Sequence, residues 1–428
     1  MNFFKNLKEY EGMKPGLSRI RKFLKDIGDP QDSFKSIHIA GSNGKGSTAA
    51  FISDILICGG YKTALYTSPH LINITERISI DRKNIPNKIF RDLSNEYLDK
   101  AVKYKLSFFE YLTSLAFIYF ALKKVDIAVI ETGLGGRLDA TNVIKKPLAC
   151  LITSITKEHQ EILGSSIGKI AFEKAGIIKR NCDVVCGKLP REAEIVVSTK
   201  SNSYPYFYGK TFKSANVNID VAALSQKFDY ISKTLKLQKV NMHMLGMHQI
   251  INASLAVCVS ELLSKKGFVL TETAVRKGLS ESFWAGRFDI RELSVKDKHF
   301  KLIIDGAHNM QGLNCFINTF KMFGFADQKK TFIFAVMRDK KYKQMIKKII
   351  PFTEKVVLPY INNDRAVDPV NLKSEFLKYM SKNDVLVADS VAQAFSMCEF
   401  AGTAVVVGSL YLAGEVLKFI QKYNMKKI

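Results

Sequence analysis

Residues 36–58 constrain the fold of this chain more than any other segment. A short apolar strand, Ser36–Ala40, runs into Gly41-Ser42-Asn43-Gly44-Lys45-Gly46-Ser47-Thr48, and a helical stretch follows from about Gly46 to Cys58. A strand that ends in a glycine-rich turn and restarts as a helix gathers backbone N–H groups and a helix N-terminus at one point, where an anion can sit. Asn43, Gly44, Lys45, Gly46 and Ser47 are the candidate phosphate-binding residues. The Lys45 ammonium would neutralise phosphate charge, and the Ser47 hydroxyl just beyond it could ligate Mg²⁺. The strict phosphate-loop pattern has four residues between its first glycine and the Gly-Lys pair. Here only Ser42 and Asn43 separate Gly41 from Gly44, and an extra Gly46 precedes the hydroxyl. A plain turn with an exposed lysine is the bland alternative; placement between strand and helix favours phosphate.

The rest of the chain alternates short apolar runs with amphipathic stretches, which is the pattern of an α/β parallel sheet. Lys62–Thr67, Val125–Glu131 and Leu148–Ile155 read as strands, Phe108–Lys123 and Ser166–Ala175 as helices. The second helix stops at Gly176, a residue suited to a helix C-terminus. Around 203–245 the runs Tyr206–Tyr208, Val217–Ile219 and Val240–Met244 predict a small mixed sheet, followed by a helix from about His248 to Ser264. After the charged turn Ser294–His299 the alternation restarts, with strands at Phe300–Asp305, Thr331–Met337, Lys355–Pro359, Asp384–Ala388 and Ala404–Val407 and a final helix Leu410–Tyr423. The expected architecture is α/β. A P-loop nucleotide-binding N-terminal domain, residues 1–290, carries a mainly parallel sheet plus the small mixed sheet. A Rossmann-like C-terminal domain, residues 291–428, follows.

Charge invites a different class of function. Lys and Arg number 64 against 40 Asp and Glu, a formal net charge of +24 over 428 residues. Of the 64, 51 are Lys and 13 are Arg, whereas specific nucleic-acid readers lean on Arg for bidentate base contacts. The lysines are spread along most segments, with no zinc finger, RNA-recognition signature or basic arm. No specific nucleic-acid partner is therefore expected. No stretch reaches the ~18 uninterrupted apolar residues of a membrane span, and Met1-Asn2-Phe3-Phe4-Lys5-Asn6-Leu7-Lys8 is too charged for a signal peptide core. No membrane partner is expected either. The seven cysteines include no C-x-x-C pair. Cys182 and Cys186 share one face of a short strand but lack two further zinc ligands nearby. Buried free thiols and a cytoplasmic setting follow.

Three further residues carry chemistry. Glu131 ends the apolar strand, and ligands of open α/β sheets bind at the carboxyl ends of strands, so it is placed to hold the Mg²⁺ of a nucleotide. His159 follows the next strand and should reach the same edge, although a lone His is more often structural. Lys174, within Phe172-Glu173-Lys174-Ala175-Gly176, reads on the residues alone as a solvated helix lysine. The segment 132–142, dense in Gly with Arg137, Asp139 and Asn142, favours a substrate loop over a merely flexible one.

Nine motifs then occur in a fixed order. They are Gly-Ser-Asn-Gly-Lys-Gly-Ser (41–47), Thr-Ser-Pro-His-Leu (67–71), Phe-Phe-Glu (108–110), Glu-Thr-Gly-Leu-Gly-Gly-Arg-Leu-Asp-Ala-Thr-Asn (131–142) and His-Gln-x-x-Leu-Gly (159–164). Glu-Lys-Ala-Gly-Ile (173–177), His-Gln-x-x-Asn-Ala (248–253), Gly-Arg-Phe (286–288) and Asp-Gly-Ala-His-Asn (305–309) complete them. Over essentially the whole chain the set resembles folylpolyglutamate synthase/dihydrofolate synthase, of the Mur-ligase superfamily.

The resemblance implies an ATP- and Mg²⁺-dependent ligase that makes an acyl phosphate and joins L-glutamate to dihydropteroate or a tetrahydrofolate, acting as a monomer. It implies that Ser47, Ser68 and Glu131 hold one Mg²⁺, that His159 joins Glu131 at a second, and that Lys174 matches the lysine the family carbamylates. A carbamate has two hard oxygens where an ammonium has none. Asn252 matches an adenine contact, Arg287 a phosphate contact, Asp305 a ribose or nucleotide contact, and His308 a position near the phosphates. The implied catalytic set is Lys45, His159, Lys174 and His308. For the pterin the resemblance points to Lys14, Pro15, Gly16 and Leu17, to Ser107, Phe108, Phe109 and Glu110, and to Leu138, Asp139 and Ala140. Three positions depart from the usual pattern: Ser42 for Thr, Glu158 for Asp, and Met310 for Pro. A Mur ligase acting on a cell-wall precursor is the nearer alternative, but such ligases carry Gly-Lys-Thr without the extra glycine and a further N-terminal domain. A basic nucleotide switch that binds nucleic acid is the distant one.

Overall fold

The computed structural model describes residues 16–295, 298–398 and 402–422; Lys14 and Pro15 of the expected pterin set lie outside the described residues. The largest sheet has eight strands: β1 (Lys35–Ala40), β2 (Thr63–Tyr66), β3 (Ile78–Ile80), β4 (Lys83–Asn84), β5 (Ile127–Glu131), β6 (Ala149–Ile152), β7 (Asp183–Cys186) and β8 (Tyr206–Phe207). Their order across the sheet is β4-β3-β2-β5-β1-β6-β7-β8. From β2 to β8 the pairing is parallel, and β3 and β4 add an antiparallel edge. Every residue of β5 and β6 is buried, as a parallel strand covered on both faces requires. Side chains alternate between those faces with period two. Ile127 and Val129 point into a core shared with the helices Lys45–Cys58 and Met247–Ser264, whereas Ala128 and Ile130 pack with the helix Phe108–Leu122.

The chain leaves β1 for β2 and only later inserts β5 on one side of β1 and β6 on the other. That reversal opens a crevice beyond the carboxyl ends of β1, β5 and β6, the usual ligand position in such sheets.

The second sheet has three strands, β9 (Phe212–Asp220), β10 (Ser225–Ser232) and β11 (Lys236–Met242), in the order β11-β10-β9. Its pairing is antiparallel throughout rather than mixed. The run at Tyr206, grouped with this sheet on sequence, instead forms the β8 edge of the large one. The strand β10 has no counterpart among the expected elements: its burial runs on through Asp229 and Tyr230 without the clean alternation that marks β9.

The third sheet orders β12 (Asp289–Val295), β13 (Lys298–Ile304), β17 (Gly402–Val407), β14 (Lys330–Phe334), β15 (Thr353–Pro359) and β16 (Val385–Ala388). It is parallel from β13 to β16, with β12 antiparallel at the edge. The five restarting strands lie within two residues of their sequence-read starts. The edge strand β12 carries Asp289, Arg291 and Glu292, charges that disguise it, and Arg291 spends its guanidinium on the Asp289 carboxylate at 2.7 Å. β17 returns between β13 and β14, so this sheet also has a reversal point at its carboxyl edge. No described helix is long and apolar enough to cross a membrane.

The phosphate-loop helix Lys45–Cys58 is held against the helix Glu272–Glu281 by a backbone approach at Gly278. A Cβ there would sit 2.6 Å from Ile55 Cα and 2.7 Å from Ile55 N. Gly278→Ala is therefore expected to lower unfolding free energy by about 1–3 kcal/mol through overpacking, outweighing the ~1 kcal/mol of helix propensity that alanine gains. Urea unfolding measures the difference; unchanged or raised stability would mean that the two helices can separate without loss.

Candidate active site

The carboxyl ends of the first and third sheets face one cleft of about 420 Å³. From the first sheet it is lined by the loop after β1 (Ser42–Ser47), by Ser68 after β2, by Glu131 and Gly133–Gly135 after β5, and by Thr153, Ser154, Glu158 and His159 after β6. From the third come Asp305–His308 after β13, Lys340 after β14, Arg365 after β15 and Ser409–Tyr411 after β17. Lys174, Lys188, His248, Gln249, Asn252 and Arg287 also line it. Every residue singled out for nucleotide, metal or catalysis thus lies around one space: Asn43, Gly44, Lys45, Gly46, Ser47, Ser68, Glu131, His159, Lys174, Asn252, Arg287, Asp305 and His308.

The glycines of the loop are there for clearance. Gly44 caps the helix at φ +86°, and a Cβ on it would lie 2.6 Å from Asn252 Oδ1. The extra Gly46 makes room for Trp284, whose indole Nε1 would stand 3.0 Å from a Cβ. The Asn43 carbonyl accepts from Thr153 Oγ1 at 2.8 Å and Ser154 Oγ at 3.0 Å. The Asn43 side chain crosses to the third sheet's half: its Oδ1 accepts from Asn309 Nδ2 at 3.1 Å, and its Nδ2 donates to Gln311 Oε1. Asn252 Nδ2 donates to Gln249 Oε1 at 2.9 Å, and Gln249 Nε2 donates to the Ser47 hydroxyl at 3.3 Å.

Buried charge dominates the electrostatics. Burial pushes the Glu131 carboxyl above its ordinary range, opposed by the Lys45 ammonium at 3.8 Å and by a 3.3 Å bond from Ser68 N. Lys45 also donates to Gly41 O at 3.0 Å. Lys174 is 2% exposed and donates to Gly41 O at 2.9 Å and Glu158 Oε1 at 3.0 Å. Burial draws its pKa down to about 8 against the opposing pull of Glu158. Burial alone would raise Glu158, but the Lys174 and Lys45 ammoniums hold it at about 2. The solvated helix lysine suggested by the residues alone is thus a buried one. Gly176 is not a left-handed cap, with φ −62°; a Cβ there would strike Arg137 Cβ at 2.4 Å, so its role is to let the 132–142 loop pack on this helix.

On the C-terminal side Asp305 accepts from Phe288 N and Ala307 N, each at 2.8 Å, and burial raises its pKa. His308 Nδ1 faces Gly306 O at 2.9 Å. A carbonyl only accepts, so Nδ1 carries the proton and Nε2 keeps a lone pair. Burial brings the His308 pKa down to about 4, which leaves it neutral. His159 starts the helix Gln160–Leu163 in a left-handed conformation, φ 46°, and burial lowers its pKa.

The expected pterin residues lie elsewhere. Among Gly16, Leu17, Ser107, Phe108, Phe109, Glu110, Leu138, Asp139 and Ala140, none lines the cleft. Glu110 uses Oε2 for a capping box with Ser107 at 2.8 Å and an ion pair with Arg19 at 3.1 Å, while its buried Oε1 has no hydrogen-bond partner among the described residues. Phe109 lies against Gly133, one layer behind the cleft wall; a Cβ on that glycine would be 2.5 Å from the ring. Asp139 accepts from Leu134 N at 2.8 Å and shapes the loop. Sequence reasoning missed Glu158, Gln249, Asn309, Gln311, Lys340 and Arg365 as site residues. Gln249 stood inside a quoted motif, and Lys340 and Arg365 follow carboxyl ends of strands, which was signal enough to find them.

Two family models match the chain. Residues 39–260 match "Mur ligase middle domain" and residues 287–419 match "Dihydrofolate synthetase, C-terminal domain". A dihydrofolate synthase/folylpolyglutamate synthase of Bacillus subtilis is 35% identical over 347 residues, 79% of each chain. The crystal structure of folylpolyglutamate synthase from Thermotoga maritima superposes with a TM-score of 0.83 at 34% identity, covering 97% of this chain and 95% of that one. The Mycobacterium tuberculosis folylpolyglutamate synthase, in complexes with ADP and AMPPCP, gives 0.84 at 28% identity, covering 97% and 96%.

The loop geometry yields a test. Gly44→Ala places a methyl against Asn252 in a left-handed backbone, and is expected to weaken nucleoside triphosphate binding at least about tenfold. Titration with a fluorescent nucleotide measures it, and unaltered affinity would remove the loop from the binding site.

Proposed function

This chain belongs to the folylpolyglutamate/dihydrofolate synthase family of Mur ligases, and from that membership we infer that it is an ATP-dependent carbon–nitrogen ligase adding L-glutamate to a folate, to dihydropteroate, or to both, through an acyl phosphate. One observation carries the reading: the two matched regions, 39–260 and 287–419, meet at the cleft that holds the phosphate loop. The C-terminal match also separates this reading from a cell-wall ligase.

In the proposed roles, the loop Asn43–Ser47 cradles the ATP phosphates, with Lys45 as their counter-charge. Asn252, pinned by Gln249, faces the adenine, Arg287 a phosphate, and Asp305 the ribose, since each of its oxygens keeps a lone pair beyond the backbone bond it accepts. The N- and C-terminal parts act as two domains whose closure completes the site; the 290/291 boundary read from the sequence falls inside β12, which pairs with β13 from Asp289 onward, so the division is drawn before Asp289. A monomer in the cytoplasm completes the proposal; the seven cysteines, free of disulfides, suit a reducing compartment.

The residues present fit Mg²⁺. Glu131 is a buried carboxylate whose nearest cation stands beyond hydrogen-bond reach, at 3.8 Å, and Ser47 and Ser68 add hard oxygens. Mg²⁺ commonly takes one or two carboxylates and completes its shell with waters and substrate phosphates. When bound, it would offset the repulsion between phosphates and the acceptor carboxylate. Lys174 in its ammonium form cannot ligate a cation; as a carbamate it could, beside His159. The neutral His308, too weak a base to hold a proton at pH 7, orients the incoming amine by accepting from it at Nε2. We propose that the pterin end of the acceptor lies behind the Gly133–Gly135 rim, on the side of Phe109 and Asp139, where Leu17 shares a core with Phe109. The remaining pterin positions, Lys14 and Pro15 included, rest on the resemblance alone.

Two experiments test these readings. Purified protein with ATP, Mg²⁺ and glutamate should release phosphate when dihydropteroate or tetrahydrofolate is added, and not otherwise. Supplying the two pterins separately identifies the acceptor, and release with neither would overturn the function. For Lys174, a pKa of about 8 leaves about one amine in ten neutral at pH 7, against fewer than about one in a thousand for an ordinary lysine. Carbamate formation joins the neutral amine to dissolved CO₂ and releases a proton, so at a fixed CO₂ concentration its rate should climb about tenfold per pH unit up to about pH 8 and then level. With ¹³C-bicarbonate, a carbamate resonance absent from Lys174→Ala and growing with this pH trend is expected; its absence from the wild type would sink carbamylation.

A further inference from the structure

His38 lies at the middle of β1, between Ile130 of β5 and Cys150 of β6, and is fully buried. A histidine inside a parallel strand whose other buried residues are Ile, Ser and Ala is a costly choice unless its ring is used. Its Nε2 lies 2.8 Å from Thr141 Oγ1. That hydroxyl has one proton, and it goes to Asp139 Oδ1 at 2.6 Å. Burial raises the Asp139 pKa, but its oxygens accept N–H groups from Leu134 and Thr141 as a carboxylate's do; in that form it returns no proton, so Nε2 carries the hydrogen and donates to the threonine oxygen. The tautomer is thereby fixed. Nδ1 is left as a buried acceptor without a partner, and burial, with Lys179 adding to it, keeps the ring neutral by drawing its pKa to about 3.

The chain His38 → Thr141 → Asp139 ends on the carboxylate that folds the acceptor loop. Asp139 also accepts from Thr141 N at 3.0 Å and from Leu134 N at 2.8 Å. Gly133, Leu134 and Gly135 form the rim of the cleft. Three residues along β1 from His38, the same strand opens into the phosphate loop at Gly41. One strand therefore sets the phosphate-binding backbone through its end and the acceptor-binding rim through a side chain at its centre.

We propose that His38 is a positioning residue for the acceptor: by donating through Thr141 to Asp139 it fixes the Gly133–Gly135 rim at the distance from the phosphate loop that the acceptor carboxylate requires. The ring touches neither substrate nor nucleotide and acts only through Thr141. This inference rests on the ligase reading above and adds to it a residue which neither the motifs nor the cleft lining picks out.

The test uses the full chain and a pair of variants. His38→Leu removes the donor at similar size, whereas His38→Gln keeps an N–H on a side chain of similar reach. In His38→Leu the KM for the pterin acceptor is expected to rise about tenfold, with the KM for ATP within about twofold of wild type. His38→Gln should recover most of that loss. Thr141→Val should reproduce the leucine effect, Thr141→Ser should not, and the double variant His38→Leu/Thr141→Val should be no worse than either single one, because both cut one chain. A KM for acceptor and a KM for ATP that rise together, or neither rising, would overturn the proposal, as would additive single effects. If His38→Leu does not fold, the Thr141 pair still decides it. A wild-type protein inactive with both pterins would instead defeat the ligase reading, so the two failures are distinguishable.

Discussion

Asn43 makes the contact on which the rest of the site depends. Its backbone fastens the glycine-rich loop to the end of β6, through the Thr153 and Ser154 hydroxyls. Its side chain fastens the same loop to Asn309 and Gln311 at the start of the helix Met310–Met322. A loop with glycines at 41, 44 and 46 carries a large conformational entropy cost when ordered. Clearance makes those glycines obligatory, so the order must come from bonds made to the residue between them. Because the bonds lead to both sheets, fixing the loop and setting the separation of the two halves are a single event. Residues as far apart in sequence as Ser47 and His308 are thereby held around one cleft.

What the cleft then does follows from how few charges it buries and how they are paired. Glu131 with Lys45, and Glu158 with Lys174, are held where water is scarce. In such places an ion pair is stable only when further hydrogen bonds satisfy its members. Gly41 O serves both lysines. Moving that one carbonyl would disturb the counter-charge for phosphate and the candidate carbamate together. The His308 and His248 rings, each drawn to about pKa 4 by burial, add polar groups to the wall without adding charge. The site therefore presents more fixed cations than carboxylates, together with neutral acceptors, an arrangement suited to stabilising charge that develops on a transferred phosphoryl group.

Much of this was legible in the sequence because the informative signals are local. The strand–glycine–helix signature of 36–58, the apolar run into Glu131 and the regular strands after residue 300 depend on neighbours in the chain, and the structure places them as read. What was not legible depends on partners distant in sequence. Nothing near Lys174 announces that Gly41 and Glu158 will bury it, and nothing near Gly176 says that Arg137 must pass beside it. Phe109 and Glu110 show the same limit: the capping box was readable as Ser107-x-x-Glu110, but the Gly133 backbone on which Phe109 lies is brought there by the fold. The β12 strand was hidden for another reason, since an edge strand tolerates charges that an internal one does not.

The net charge of +24 can now be weighed against this geometry. Interactions between exposed charges are largely screened beyond a Debye length of about 8 Å at physiological salt, so lysines scattered over the outer surface contribute little inside the cleft. The charges that count are those lining it: Lys45, Lys174, Lys188, Arg287, Lys340 and Arg365 against Glu131, Glu158 and Asp305. That local excess of cations faces low-dielectric walls, which focus the field into the opening and draw in anions. ATP, glutamate and a folate tail are all anions, and bringing them together is the main electrostatic obstacle to the reaction. The positive cleft offsets that repulsion at the point where it arises. Exposed lysines such as Lys145 and Lys210 pair with surface carboxylates, whereas the cleft cations sit on helices or in segments that flank strand ends.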